Sequence, residues 1–274
     1  MRRLLNLQPS KPLRLALFLA PLGALLLAYL VFSDARLAEN PQDRLLPAFS
    51  TMGETLLRMA TEPDRRSGEL LFWLDTRVSL QRLALGVGLG ALTALILGVA
   101  SGLLPLAGAS LSPFLAIIAM IPPLAILPIL LIAFGVGELA KVLLIAIGVG
   151  PFIARDLEGR VRELPRELLI KAQTLGAGTW QTLWHVVLPQ ITPRLFDAIR
   201  LSLGAAWLFL IAAEAIASTE GLGYRIFLMR RYLAMDLILP YVAWMTLLAW
   251  LLDYGLRVLS RRLFPWYGAA GNKR

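Results

Sequence analysis

Few residues in this chain have the type and setting for chemistry, and one carboxylate stands apart from the rest. Glu214 lies inside the apolar string WLFLIAAEAIA. A charge at bilayer depth costs about 2.5–3.5 kcal/mol on insertion scales, so it must face a bundle interior, a partner charge or a water-filled path. Two readings follow. Glu214 lines a solute route or latches its outer gate, or it closes a structural hydrogen bond. The single histidine, His185, has no serine or aspartate constellation around it, and general-base work needs positioned partners. With zero cysteines, neither thiolate chemistry nor a cysteine metal site is expected, and one histidine cannot build a His-rich cluster. No catalytic residue or metal ligand is assigned. A Gly-x4-Gly-Lys-Ser/Thr loop is also absent, so any nucleotide must be handled by another polypeptide.

The elements that position Glu214 are membrane spans. The chain has 274 residues, 58% hydrophobic and 16% charged, more apolar surface than an ordinary soluble domain of this size can hide. Apolar runs at 15–32, 78–104, 112–134, 139–153, 191–217 and 237–259 predict an all-α membrane protein with about six transmembrane helices. The net charge of +9 belongs to basic residues beside these runs, which reads as membrane orientation rather than nucleic-acid binding. Arg2, Arg3, Lys11 and Arg14 precede the first run, and Arg155, Arg160, Arg162, Arg166 and Lys171 follow the fourth. Arg257, Arg261, Arg262, Lys273 and Arg274 close the chain. The positive-inside rule then places both termini and the central loop in the cytoplasm. Arg225, Arg230 and Arg231 fall on the opposite side, which predicts a hairpin dipping into the bundle. Three regions result: 1–77 with the N-terminal tail, first span and an exported loop, a core at 78–264 with a cytoplasmic loop at 155–190, and a tail at 265–274.

Local patterns refine this picture. Met52, Leu56, Leu57 and Met59 share one side of a surface helix expected at 49–60, which either touches a soluble partner or packs on the bundle rim. Gly86, Gly90, Gly98 and Gly102 recur every four residues or a multiple of four, spacing that lets a second helix approach closely. Pro122 and Pro123 remove two consecutive donors from the third span, so it must kink or unwind there. Such a break lines a pathway, serves as a hinge or is a structural kink. Residues 163–189 read as two short amphipathic helices joined at Gly176. Thr179 is placed as the N-cap of the second, and Pro189 as its stop. A helical pair between two spans is a rigid knob, suited to docking.

In that loop Ala172, Gly176 and the closing Val186, Val187, Leu188, Pro189 resemble the cytoplasmic signature of ABC importer permeases. Residues 121–138 (IPPLAILPILLIAFGVGE) and 214–224 (EAIASTEGLGY) resemble its nitrate, taurine and aliphatic-sulfonate branch. ARLAENPQDRLLP and RRYLAMDLILPYVAW are similar to permeases associated with urea carboxylase. The likeness covers residues 76–264 and implies a type I ABC importer permease fold. It implies ATPase contacts through Glu167, Lys171, Ala172, Gly176, Thr179, Leu188 and Pro189, and a translocation path or gate at Pro122, Pro123, Glu214, Gly221 and Gly223. It also implies an ABC ATPase subunit carrying ATP and Mg, a periplasmic or lipid-anchored substrate-binding protein, and a permease homodimer. Cargo would be a small polar nutrient, nitrate-, taurine- or sulfonate-like or else urea- or guanidinium-like. One departure is Ile170, where the signature usually opens with glutamate. The rival reading is a gradient-driven secondary transporter or channel, for which intramembrane charge alone suffices.

Overall fold

The computed structural model describes residues 10–40, 43–64 and 67–267. Arg2, Arg3, Pro41, Arg65, Arg66, Lys273 and Arg274 lie outside the described residues, as do most of the two terminal tails. Among the described residues every regular element is a helix. The long ones are α1 (Lys11–Glu39), α3 (Leu71–Leu103), α6 (Glu138–Arg162), α9 (Leu188–Ala217) and α11 (Met235–Leu263). Between them lie α2 (Phe49–Thr61), α4 (Pro105–Ile118), α5 (Pro123–Phe134), α7 (Arg166–Thr174), α8 (Thr179–Thr182) and α10 (Leu222–Arg230).

Five of the six expected spans map onto α1, α3, the α4 and α5 pair, α9 and α11; α6 takes the place of the fourth but is not among the described helices long and apolar enough to cross a membrane. Among the described residues α1, α3, α11 and the helix continuing through Thr179–Ala217 are each long and apolar enough to cross a membrane alone. The α4 and α5 pair passes that test only together, and it is bent by 94° at the break that holds Pro122 and Pro123. Pro122 caps α5 and Pro123 opens it, where a missing N–H costs nothing. Helix α6 carries Lys141 and Arg155 near its ends and sits in the middle of the bundle, with Leu144, Ile145 and Leu157 fully buried.

The centre of the core is the α3–α6 contact, the most extensive in the fold. A Cβ built on Gly86 would meet Ile145 Cβ at 2.6 Å, one on Gly98 the Ala154 carbonyl at 2.6 Å, and one on Gly102 Val161 Cβ at 2.6 Å. The four-residue glycine spacing is therefore packing, and helix axes this close gain dispersion contacts that a side chain would forbid.

Several boundaries differ from expectation, each for a reason in charge pairing. Helix α3 begins at Leu71, ahead of the expected 78, because Asp75 is fully buried against Arg225 instead of solvated. Helix α6 continues to Arg162, so Arg155, Arg160 and Arg162 are helical. Arg160 with Asp156 at 3.5 Å and Arg162 with Glu158 at 2.6 Å are (i, i+4) pairs that extend it. Helix α2 packs against α11 with Met52 buried and Thr55 Oγ1 donating to Asp236 Oδ2 at 3.0 Å, so it is a rim connector. Leu57 faces away from that contact, 64% exposed. Helix α1 stands outermost, tied near its end by the Tyr29 hydroxyl to the Pro47 carbonyl at 2.7 Å and by Ser33 to the Leu46 carbonyl at 2.9 Å.

Candidate functional site

The expected knob is present at one end of the bundle, but its second half is built differently. Helix α7 closes with the Gly176 N–H donating to the Gln173 carbonyl at 2.9 Å and the Ala177 N–H to the Ala172 carbonyl at 3.0 Å. This paired closure needs a left-handed residue, and Gly176 supplies it at φ +79. Gly178, not Thr179, is the N-cap of α8; its N–H donates to the Gln181 Oε1 at 2.9 Å, and Thr179 is the first helical residue. Pro189 does not stop the helix. Its ring would crowd a carbonyl one turn back in an α-helix, and a π-helical turn over Leu183–Val187 relieves that, with the Leu188 N–H reaching the Leu183 carbonyl. The helix then runs on into α9 past Pro189, which sits near its start.

Of the residues expected to couple, Glu167, Lys171, Gly176, Thr179 and Pro189 are exposed, and Ala172 and Leu188 are half-buried. Around them stand apolar side chains that the described residues leave largely exposed. Leu175 is 87% exposed, Trp180 70% and Trp184 62%, with Ile170 beside them. His185 is exposed as well, its Nδ1 3.0 Å from the Gln181 carbonyl.

At the opposite end of the bundle Glu214 sits in a closed polar cluster. The start of α10 presents three successive backbone N–H groups, which a helix cannot satisfy internally. Gly221 donates to Asp75 Oδ1, Leu222 to Ser79 Oγ and Gly223 to Glu214 Oε2, each at 2.8 Å. The Ser79 hydroxyl in turn donates to Glu214 Oε1 at 2.7 Å. Arg82 Nη1 donates to Glu214 Oε1 and to the Glu220 carbonyl, both at 2.9 Å. Its remaining face grips Glu138 through two bonds of 2.5 and 2.7 Å, and Lys141 joins Glu138 at 2.8 Å. Arg225 Nε reaches Asp75 Oδ2 at 2.7 Å.

The cluster therefore draws Arg225 inward, and Lys141 with it, whereas Arg230 and Arg231 of the expected dipping hairpin are exposed. Gly221 holds φ +117, and a Cβ there would lie 2.5 Å from the Glu214 carboxyl carbon. At Gly223 a Cβ would meet Ile211 Cα at 2.9 Å. Pro122 and Pro123 are not part of this cluster; Pro122 is exposed at the α4–α5 break and Pro123 is half-buried. Sequence reasoning missed Asp75, Ser79 and Arg82. Their spacing of four and three puts them on one face of α3, and an arginine inside an apolar run is the same signal that singled out Glu214. Arg200 pairs with Asp253 of α11 at 2.8 Å and with Asp197 at 3.3 Å.

Residues 86–267 match the family described as binding-protein-dependent transport system inner membrane component. The taurine transport system permease protein TauC of Escherichia coli is 38% identical over 196 residues, covering 72% of this chain and 71% of that protein. The putative aliphatic sulfonates transport permease protein SsuC of Bacillus subtilis is 34% identical over 201 residues, 73% of this chain and 72% of its own. The bicarbonate transport system permease protein CmpB of Synechocystis sp. is 30% identical over 197 residues, covering 71% and 70%. Among solved structures, the MetNI methionine ABC transporter in an inward-facing conformation aligns with a TM-score of 0.61 at 22% identity. That match covers 71% of this chain and 98% of that one, a likeness of fold.

Proposed function

The chain belongs to the family of binding-protein-dependent transport system inner membrane components, as a permease of an ABC importer, and we propose that it converts ATP hydrolysis on a separate subunit into passage of a small sulfonate-like solute. The observation that carries this reading is the exposed knob turned at Gly176, whose apolar residues Leu175, Trp180 and Trp184 are left largely uncovered by the described residues. Its second helix is continuous with the span that bears Glu214, so a push on the knob moves that span as one body. An ATPase biases a bundle only through contacts that differ in free energy between its two states. Glu167, Lys171, Ala172, Gly176, Thr179, Leu188 and Pro189 lie on or beside this surface. Nucleotide and Mg belong to the partner ATPase.

Orientation follows from charge. The knob and the final basic turn of α11 share one end, where Tyr267 hydroxyl meets Asp197 at 2.8 Å, and that end faces the cytoplasm together with both termini. At the other end Arg82, Lys141 and Arg225 are buried in ion pairs, while Arg230 and Arg231 are exposed, so the positive bias there is reduced and not abolished. A second copy of the permease completes the path, supported by apolar surface left open on Met120, Ile129 and Ile132 of the broken pair. An external binding protein delivers the cargo. Taurine-like sulfonate leads among cargoes on the 38% identity to a taurine permease. Glu214 offers no free carboxylate to a cationic guanidinium cargo, being already held by Ser79, Arg82 and the Gly223 N–H.

Reconstitution with the cognate ATPase and binding protein tests the reading. Uptake of labelled taurine that requires ATP and is lost on omitting the ATPase is expected. ATP-independent uptake driven by an ion gradient would replace it with the secondary-transporter reading, and ATP-dependent uptake of urea or guanidinium in place of taurine would reassign the cargo alone.

A further inference from the structure

At the knob end, three polar side chains have no part in the surface described above. Glu158 is only 7% exposed although it lies one turn from the end of α6. Its Oε1 accepts from the Ser112 hydroxyl on α4 and pairs with Arg162 Nη2 at 2.6 Å. The same guanidinium nitrogen donates to Ser112 Oγ at 3.0 Å. Ser112, Glu158 and Arg162 thus close a triangle in which each member touches the other two.

The surroundings leave little play. A Cβ on Gly102 of α3 would meet the Glu158 carbonyl at 2.9 Å, and one on Gly108 of α4 the Ser101 carbonyl at 2.6 Å and Arg162 Nη2 at 3.5 Å. Helices α3, α4 and α6 therefore converge on the triangle at backbone contact. Arg162 is 56% exposed, and an exposed (i, i+4) pair adds little to stability, so directional register is the property such a triangle adds. Apolar packing tolerates sliding; three mutual polar bonds do not.

We infer that Ser112, Glu158 and Arg162 form a positioning triad that carries movement of the knob into α4 and, through the 94° break, into α5. The inference rests on the coupling role of the knob. Arg162 is the last residue of α6, a short turn before α7 begins at Arg166, while Ser112 lies on the half-span that feeds the proline break. The knob then has two exits. Its C-terminal side continues as one helix through Thr179–Ala217, and its N-terminal side passes through the triad to the broken pair. Helix α5 packs on both α6 and α9, so the two exits meet again there.

The native chain has no cysteine, which permits spin labels at Ile132→Cys on α5 and Leu201→Cys on α9, each 86% exposed. The readouts in the complete reconstituted complex are ATP hydrolysis and the change in label distance on trapping with ATP and vanadate. Ser112→Ala is expected to keep hydrolysis within about twofold while reducing the distance change to less than half. Ser112→Thr, which retains the hydroxyl, restores it. A full distance change in Ser112→Ala, or an equal deficit in Ser112→Thr, overturns the triad and leaves the coupling reading intact. Loss of hydrolysis in parallel with the distance change also overturns it, as a structural role would produce. A complex with native Ser112 and no nucleotide-driven change would overturn the coupling reading itself, and the triad with it.

Discussion

At the two ends of this bundle the same residue types do opposite things. Around Glu214, the side chains of Asp75, Ser79, Arg82 and Glu214 are almost wholly withdrawn from solvent and each is bonded to at least two groups. In the knob, Glu167 and Lys171 are exposed and apolar rings stand out beside them. The ends also differ in their glycines. Gly221 and Gly176 both hold positive φ, yet a Cβ at Gly221 collides with the Glu214 carboxylate and one at Gly176 meets nothing within 4 Å. A closed cluster is what holds a helix pair in one register, and an open surface is what a second protein can grip. A force applied at the knob has a fixed point to work against at the other end.

The largest effect should come from opening the closed end. Asp75→Ala leaves Arg225 buried without its carboxylate and the Gly221 N–H without an acceptor, and removing one partner of a buried pair costs about 3–5 kcal/mol. Thermal unfolding of the detergent-solubilised permease should show a large loss, with faster amide exchange over residues 221–223. Native-like melting would mean that the cluster is solvated and the contrast between the ends false.

Gly221→Ala should come next. At φ +117 and ψ 160 the backbone is in a region nearly confined to glycine, and such strain costs about 1–3 kcal/mol before the clash with Glu214 is counted. Gly176→Val is its counterpart. Its cost is conformational alone, about 1–2 kcal/mol, and local to the turn. Melting should change little while labelled-solute uptake per ATP falls several-fold, because the knob's two halves lose their fixed angle. If the two variants melt alike and transport alike, the glycines are equivalent and the comparison fails.

Much of this was legible in the sequence, and the misses have a common cause. Spans appeared as apolar runs, the α3–α6 contact as glycines at four-residue intervals, and the turn at Gly176 as a glycine between two periodic segments. Each is a property of one segment. Asp75 and Arg82 were passed over because their meaning lies in pairing: an acid in a charged stretch becomes buried only when α10 folds over it. The continuity of α8 through Pro189 was missed for a related reason. A proline reads as a stop, and only the backbone shows that a π-helical turn has made room for it. Ser112 carried no pattern at all, since its partners are 46 and 50 residues away.

The smallest effect on stability sharpens the contrast most. Trp184 is 62% exposed and lines an apolar groove of about 370 Å³ with Trp180, Leu183 and the C-terminal part of α3. Truncation at an exposed site away from caps and ion pairs usually changes stability by less than about 0.5 kcal/mol. Interface tryptophans that fill a partner's pocket, by contrast, commonly cost about 2 kcal/mol or more when truncated. Trp184→Ala should therefore leave melting unchanged and weaken association with the ATPase by about thirtyfold, measured by pull-down titration in detergent. The same truncation at buried Tyr241, which donates to Asp75, should do the reverse and lower melting without changing association. Equal behaviour of these two aromatics would remove the division of labour between the ends, since an aromatic that matters for docking must be free of the fold and one that matters for the fold cannot reach a partner.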